Sequence, residues 1–229
     1  RLGKGYGGEC SFEGRGLYCC VAYSGDRIIV TLNPTSRIRI KRAWLSGEIR
    51  TPLSNDTRYF LNGYQSWTDS REYSETEKEK DLGLISRILD KKFAFSSYGD
   101  YRFYGKRMKK GSFHGWTYGY VRNGDEYEFI GSLTERKSSF SLIKFFTDSN
   151  TFRIFFDSEN VDYEIENETN IFDLVFLTGS EKNVFDKYFQ VAEIESPKAK
   201  PVVGWTSWYN YYQNINEKIL SENLNALIE

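Results

Sequence analysis

Two clusters of aromatic, amide and hydroxyl side chains have residue types that could bind a sugar. The first is Asn62 to Trp67 (Asn-Gly-Tyr-Gln-Ser-Trp) and the second is Gly204 to Tyr212 (Gly-Trp-Thr-Ser-Trp-Tyr-Asn-Tyr-Tyr). A sugar pocket needs ring faces that stack on C–H patches and polar groups that fix orientation. Core packing is the alternative interpretation of such rings. Both clusters fall in predicted turns or strand ends, which favours the pocket.

No cofactor and no metal site is predicted. His114 is the only histidine, and no second ligand stands at metal-binding spacing. Beside Gly115 and Trp116, we expect it to be a hydrogen-bonded strand residue. The glycine-rich stretch from Gly3 to Gly8 follows no strand and lacks the Lys-Ser/Thr of a phosphate loop.

No catalytic residue is predicted either. The acidic residues considered are expected to be solvated or capping side chains, and they are Asp69, Asp100, Asp125 and Glu217. The net charge is -1, so no broad field would recruit nucleic acid or an anionic membrane, and a neutral ligand fits better.

The cysteines and the apolar stretches favour a cytoplasmic protein. Cys10, Cys19 and Cys20 lie near the start, where one bridge would leave an odd thiol, so we expect them to be reduced and buried. No uncharged stretch approaches the roughly 20 residues of a membrane helix. No signal segment opens the sequence.

Most of the sequence predicts short antiparallel strands. Runs rich in β-branched and aromatic residues alternate with Gly, Asn, Asp and Ser. The clearest are 27–32, 37–43, 101–104, 115–121, 127–133, 140–146, 152–156, 161–165 and 171–177. Asn123-Gly124 is typical of a hairpin turn. Strands at this spacing without interleaved helices indicate a mainly β chain with a large antiparallel β-sandwich.

Three further segments depart from the strand pattern. The charged stretch from Asp69 to Lys80 predicts an exposed loop. Residues 81–90 have apolar residues at helical spacing and predict a short helix. Ser180 can cap a helix that runs to about Ala192.

The last residues predict a linker and one β-loop-α unit. Residues 196–201 hold two prolines and two lysines, which disfavour helix and central strand. Val202 to Trp205 predicts a strand, which assigns Trp205 to the core, and Asn214 with Glu217 resembles a capping box. A lone unit leaves its edges open, so we expect a barrel of repeated βα units to begin here. The predicted domains are a sandwich over 1–195, a linker over 196–201 and a barrel start over 202–229.

The two clusters together resemble the family-36 α-galactosidases. The cluster from Gly204 to Tyr212, preceded by Pro201-Val202-Val203, is similar to the first barrel strand and loop of that family. The cluster from Asn62 to Trp67 is similar to the signature of its amino-terminal sandwich. The order matches, with strands between. The resemblance implies a supersandwich followed by the first β/α unit of a TIM barrel.

The resemblance also implies an activity and site residues. The family's enzymes are retaining glycosidases that remove terminal α-linked galactose from sugars such as melibiose or raffinose. Trp208 and Tyr209 match residues of the galactose subsite, and Trp67 matches a tryptophan that reaches the same pocket from its own subunit or a neighbour. A homo-oligomer is implied for the full-length protein. Gln65 is expected either to contact the ligand or to brace its loop, and the brace is favoured.

Two interpretations of function remain open. The family's two catalytic aspartates lie on later barrel strands, and no motif here matches them, so the segment is expected to be inactive by itself. Galactosyl transfer to sucrose is a sister activity within the family. The alternative from another class is a non-catalytic carbohydrate-binding or oligomerisation module.

Overall fold

The computed structural model describes residues 7–66, 68–81, 88, 99–103, 106–135, 139–159, 162–195, 200–201 and 204–228. The chain divides into two compact units, Arg1–Ile194 and Glu195–Glu229, here called the sandwich unit and the second unit. Across the described ranges, no helix is both long enough and apolar enough to cross a membrane.

The sandwich unit consists of short strands followed by one helix. The strands are β1 Gly7–Gly14, β2 Leu17–Ser24, β3 Arg27–Pro34, β4 Ile38–Ile40, β5 Trp44–Glu48, β6 Thr57–Leu61, β7 Arg71–Tyr73, β8 Ser112–Trp116, β9 Tyr118–Asn123, β10 Glu126–Ser132, β11 Phe140–Phe146, β12 Thr151–Asp157, β13 Tyr163–Ile165 and β14 Thr169–Gly179. The helix α1 spans Glu181–Val191.

The strands form two large antiparallel sheets that face each other. An eight-stranded sheet has the order β1-β2-β3-β14-β10-β9-β6-β7, and a four-stranded sheet has the order β5-β12-β11-β8. A third, two-stranded sheet pairs β13 with β4. Alternation sets the core: in β12, Phe152, Ile154 and Phe156 are buried while Arg153 is exposed. The mainly β, antiparallel sandwich predicted from the sequence is confirmed.

The helix α1 covers the outer face of the large sheet. Val184 and Tyr188 are its buried residues, and they pack in a cluster with Phe129 and neighbouring aromatic residues. Successive strand residues point to opposite faces, so Phe129 meets α1 while Ile130 joins the core between the sheets. The predicted helix after Ser180 is therefore confirmed.

A sharp corner at Thr117 carries the chain from one sheet to the other. The sequence predicts one strand over 115–121, but β8 ends at Trp116 in the small sheet and β9 begins at Tyr118 in the large one. Thr117 has a φ of 67°, which is costly for a β-branched residue. Its N–H donates to the Ser141 carbonyl at 3.0 Å, and its carbonyl accepts the Ser132 N–H at 2.7 Å.

Three local predictions for the sandwich need correction. Residues 101–103 form a turn rather than the predicted strand over 101–104, because the Asp100 carbonyl accepts the Phe103 N–H at 3.0 Å. The stretch from Asp69 to Lys80 is not an exposed loop, since it contains β7 and buries Tyr73 and Glu79. Cys19 and Cys20 are half-buried rather than buried.

Two predicted segments cannot be compared in full. The predicted helix over 81–90 lies outside the described residues except for Asp81 and Ile88. Residues 196–199 of the predicted linker also lie outside them. The predicted domain boundaries stay predictions.

The second unit has short helical elements. The helix α2 spans Trp208–Tyr211, a 3₁₀ turn covers Tyr212–Asn214 and the helix α3 spans Glu217–Ile228. Gly204 and Trp205 are not in a strand, and Val202 and Val203 lie outside the described residues, so no TIM-barrel unit is seen. Trp205 is half-buried beside the Tyr211 ring rather than in a strand core.

The start of α3 differs from the predicted cap. Asn216, not Asn214, caps the helix, because its Oδ1 accepts the Ile219 N–H at 3.0 Å. The apolar residues of α3 are mostly exposed, and none of its described residues is buried.

Candidate functional site

The first predicted cluster forms a tight turn after β6. Residues Asn62–Ser66, here called the signature turn, dock on the end of β8. The Trp116 N–H donates to the Asn62 carbonyl at 2.8 Å, and Asn62 Nδ2 donates to the Trp116 carbonyl at 3.3 Å. The approach needs glycine at position 115, since a Cβ there would lie 2.6 Å from the Asn62 carbonyl oxygen. The signature turn is thus fixed to the small sheet.

Side-chain hydrogen bonds close the signature turn. The Gln65 N–H donates to Thr68 Oγ1 at 2.9 Å, and that hydroxyl donates back to the Gln65 carbonyl at 2.7 Å. Gln65 Nε2 donates to the Gly99 carbonyl at 3.0 Å. The predicted role of Gln65 as a brace is confirmed.

A cleft of about 240 Å³ opens beside the signature turn. Its walls mix rings with charged groups, and the lining residues are Gly63, Tyr64, Thr68, Asp69, Tyr73, Glu79, Lys80, Asp81, Gly99, Asp100, Phe103, Met108, His114 and Trp116. Concave sites with few convergent polar groups are the usual places for small ligands. The signature turn therefore borders a cleft within the sandwich unit.

Two carboxylates flank His114 at the base of this cleft, in an arrangement called here the imidazole clamp. His114 Nδ1 lies 2.7 Å from Glu79 Oε2, and Nε2 lies 3.1 Å from Asp100 Oδ2. The His114 backbone N–H donates to Glu79 Oε1 at 2.6 Å. Glu79 is 6% exposed and Asp100 is 8% exposed. The expectation that Asp100 is solvated is wrong, although its Oδ1 does cap the Arg102 N–H at 3.0 Å.

In the imidazole clamp, burial and hydrogen bonding shift the pKa values of His114 and Asp100 in opposite directions. Burial alone would lower the pKa of His114, but hydrogen bonds and charge attraction from Asp100 and Glu79 prevail, so its pKa lies above the ordinary 6.5. Burial alone would raise the pKa of Asp100, yet hydrogen bonds from His114 and Trp116 hold it below 3.8. Trp116 Nε1 donates to Asp100 Oδ2 at 2.6 Å.

A second carboxylate network supports the rim of the cleft. The Tyr101 hydroxyl and Arg102 Nε both donate to the buried Asp157. The Tyr64 hydroxyl donates to Glu159, whose own N–H donates to Asp157 Oδ1 at 2.8 Å. Burial, reinforced by Glu159, raises the pKa of Tyr64 to about 12, so this hydroxyl stays protonated at neutral pH.

These contacts give the residues of the imidazole clamp a structural role, and they do not form a hydrolytic centre. Each Glu79 oxygen faces a His114 nitrogen, and Asp100 Oδ2 faces both His114 and Trp116. Asp100 is ionised and hydrogen-bonded, so it is neither a general acid nor an unencumbered nucleophile. Among the described residues, no group of three or more His, Cys, Asp or Glu could hold a metal ion.

The second cluster presents its rings to the surface of the second unit. Trp208 is 58% exposed and Tyr209 is 78% exposed, both on α2. The Tyr212 ring centroid lies 5.5 Å from that of Trp208. The Tyr211 hydroxyl accepts a hydrogen bond from Asn223 Nδ2 at 3.2 Å, which ties α2 to α3.

The predicted site residues are therefore only partly placed. Trp208 and Tyr209 are neighbours on one short helix, and Trp67 lies outside the described residues. The sequence interpretation missed the pairing of Glu79 and Asp100 with His114. One signal was available, since His114 and Trp116 stand two apart in a strand and therefore share a face.

Comparisons with known proteins find similarity to a solved structure at low sequence identity. No family model matches the chain, and no curated protein matches it. Among solved structures, an α-galactosidase from Thermus thermophilus, in complex with p-nitrophenyl α-D-galactopyranoside, matches with 13% identity and a TM-score of 0.48. The match covers 97% of this chain and 39% of that one. This chain thus spans about two fifths of that structure, and a similarity this low carries no weight for function.

Proposed function

We propose that this chain is the amino-terminal segment of a retaining α-galactosidase that hydrolyses terminal α-linked galactose from oligosaccharides such as melibiose or raffinose. Trp208 and Tyr209 line the galactose subsite, and Trp67 reaches such a pocket either from its own subunit or from a neighbouring one. The segment holds no catalytic residue and is inactive by itself, and the full-length enzyme is a homo-oligomer. The resemblance of the two clusters to family-36 signatures supports this proposal.

The observation that carries the proposal is the exposure of the Trp208 and Tyr209 rings. Core packing was the competing interpretation of these residues, and within this chain neither ring is buried. Exposed ring faces are what a sugar needs for stacking, and Thr206 and Asn210 bring a hydroxyl and an amide close in sequence. The cluster thus keeps both parts of a sugar-binding surface available.

The second candidate is a non-catalytic carbohydrate-binding or oligomerisation module. It is favoured by the sandwich unit, which has a core of its own between two sheets. A unit with a complete core can fold alone and act as a module. Such a module predicts that this chain binds galactosides or forms defined oligomers by itself.

Kinetics on the gene product that carries this chain test the enzyme proposal. It should release galactose from melibiose and from p-nitrophenyl α-D-galactopyranoside, with the α-anomer as the first product by proton NMR. Trp208→Ala should lower kcat/KM by a factor that corresponds to about 1–3 kcal/mol of lost transition-state stabilisation, because a stacking face is lost. Trp44→Ala is the matched control, since Trp44 is 54% exposed on β5; its kinetics should not change.

The outcomes separate the two candidates. Unchanged kinetics for Trp208→Ala would remove that residue from the pocket. A folded gene product without galactosidase activity would overturn the enzyme proposal. Titration calorimetry of melibiose into the present chain then tests the module, which requires measurable heat that Trp44→Ala leaves intact.

A further inference from the structure

His114 is the chain's only histidine, and both of its ring nitrogens face carboxylate oxygens. An ionised carboxylate accepts hydrogen bonds and donates none. A neutral imidazole has one N–H and can satisfy only one such oxygen, whereas an imidazolium donates from both nitrogens. Trp116 Nε1 is a donor and points at the same Asp100 Oδ2, so that oxygen must act as an acceptor. The geometry therefore matches a doubly protonated ring.

We infer that His114 is the positioning residue of the signature turn: as an imidazolium it holds Glu79 and Asp100 together, and the turn keeps its place only while this cation is present. The role lies in position, not chemistry, because carboxylate oxygens occupy both ring nitrogens of His114. This inference concerns the sandwich unit alone and does not depend on the proposed hydrolase.

Two short paths connect the clamp to the signature turn. In the first, Asp100 bonds Trp116 Nε1, and the Trp116 backbone bonds Asn62. In the second, the Gly99 carbonyl next to Asp100 accepts Gln65 Nε2. The Tyr64 ring also packs on Trp116, with ring centroids 5.0 Å apart. Displacement of Asp100 would thus act on both ends of the turn.

The charges around His114 include cations that oppose its protonation. The Phe103 ring stacks on His114 with centroids 3.5 Å apart, and Lys144 and Lys106 place Nζ atoms 4.5 and 5.2 Å from that ring. Lys144 stands opposite His114 in the β8–β11 register, and burial lowers its pKa. Arg102 is engaged with Asp157. Two carboxylates in direct contact outweigh these more distant cations.

The other charged groups of the cleft are paired elsewhere. Lys78 Nζ lies 2.6 Å from Asp81 Oδ2, and Lys80 Nζ lies 3.7 Å from Asp69 Oδ2. Neither pair includes a clamp residue. His114 contacts Glu79 and Asp100 directly, whereas Lys144 acts on the same two carboxylates through charge attraction alone.

The sign of the pH effect follows from the direction of each shift. The pKa of His114 is raised above 6.5, so its contribution to stability is complete below pH 6.5 and is lost as pH rises through the folded-state value. The pKa of Asp100 is lowered below 3.8, so its contribution is present above pH 3.8 and is lost on further acidification. The clamp is complete between these limits.

NMR of the full chain tests the protonation directly, because a single histidine gives unambiguous ring signals. At pH 6 both ring nitrogens should have the nitrogen-15 shifts of an imidazolium, and the Cε1–H signal should titrate with a midpoint above 6.5. A bare ring nitrogen at pH 6, or a midpoint at or below 6.5, would overturn the inference.

The positioning role has its own readout. The backbone amides of residues 62–66 should shift with the same midpoint as the His114 ring, and His114→Gln should abolish that titration. Hydrogen exchange at these amides should accelerate in His114→Gln on the order of tenfold, because two buried carboxylates lose their charged partner. Glu126→Gln, at an exposed position of β10, is the control and should change neither quantity.

If the His114→Gln variant does not fold, the pH titration of the His114 ring and of the amides in the wild-type chain still tests the positioning role. If the amide signals of residues 62–66 do not shift at the midpoint of the His114 ring, the ring is charged but does not position the turn, and the inference is wrong. In an active galactosidase, kcat/KM should fall as pH rises through the same midpoint, whereas absence of galactosidase activity would leave the NMR result standing.

Discussion

Trp116 of the sandwich unit and Trp208 of the second unit lie in opposite surroundings. In the sandwich unit, Trp116 is buried, its indole N–H bonds Asp100, and its ring packs on Tyr64 and Tyr101. In the second unit, Trp208 is mostly exposed and contacts the ring of Tyr212. Residue type alone therefore does not separate a buried structural ring from an exposed one. The hydrogen bond of the indole N–H and the position in a strand mark Trp116 as structural.

Charged and apolar residues show the same contrast. The sandwich unit buries Glu79, Asp100 and Asp157 by giving each a partner, so ionic groups become part of its framework. On α3, Leu224 and Ile228 are exposed although their spacing is that of an amphipathic helix. These buried carboxylates of the sandwich unit are thus paired, while the apolar residues of α3 are mostly exposed.

Truncating the two tryptophans should give the largest difference. Trp116→Ala should lower the free energy of unfolding by about 3–5 kcal/mol, because it leaves a cavity and removes a donor from Asp100. Trp208→Ala should change it by less than about 0.5 kcal/mol, since the ring is exposed. Urea unfolding followed by circular dichroism measures both. Equal effects would break the contrast between the units.

Adding one methyl group at a glycine should give a smaller difference of the same sign. Gly115→Ala would place a Cβ 2.7 Å from Leu61 Cβ and still closer to the Asn62 carbonyl, so we expect a loss of about 1–3 kcal/mol. Gly204→Ala meets no atom within 4 Å and should be neutral within about 0.5 kcal/mol. Denaturation midpoints of both variants provide the measurement. A neutral Gly115→Ala would show that the signature turn can move away from β8.

Removing an exposed ion pair should cause the smallest loss of stability, and the loss should be similar in both units. Lys182 pairs with Asp186 on α1, and Lys218 lies 3.8 Å from Glu222 on α3, each pair exposed and four residues apart. Lys182→Ala and Lys218→Ala should each cost about 0.5 kcal/mol or less. Thermal unfolding at low and high salt measures this loss of stability, and the difference in Tm between each variant and the wild type should become smaller at high salt. A loss above about 1 kcal/mol in either helix would reveal a contact beyond the ion pair.

The sequence predicted β3, β4 and β9 to β14 because local patterning carries that information, whereas β1, β2, β5, β6 and β7 lie outside the predicted strands. The strands around Asn123-Gly124 were found from alternation and a turn that favours positive φ, and Gly124 has a φ of 58°. The β1–β2 hairpin was missed, although Arg15 and Gly16 both have positive φ and Gly16 was a readable turn signal. The corner at Thr117 had no such signal, because tertiary hydrogen bonds impose its conformation on a residue that disfavours it.

The candidate site was less predictable because its partners are distant in sequence. Glu79 lies in a charged stretch that is typical of solvent, and only the fold brings it to His114, which lies 35 residues later. Asp100 was expected to be a solvated or capping residue for the same reason. Motif similarity identified the exposed rings of Trp208 and Tyr209, since that signal is local. Their role toward a sugar stays a prediction.

The corner at Thr117 also bears on how the sandwich unit comes apart. A single residue joins β8 of one sheet to β9 of the other, so neither sheet can slide or detach without pulling on its counterpart. The bonds that hold the corner reach Ser132 in the large sheet and Ser141 in the small sheet. Both layers should consequently melt in one cooperative transition, with coincident curves for any two spectroscopic probes.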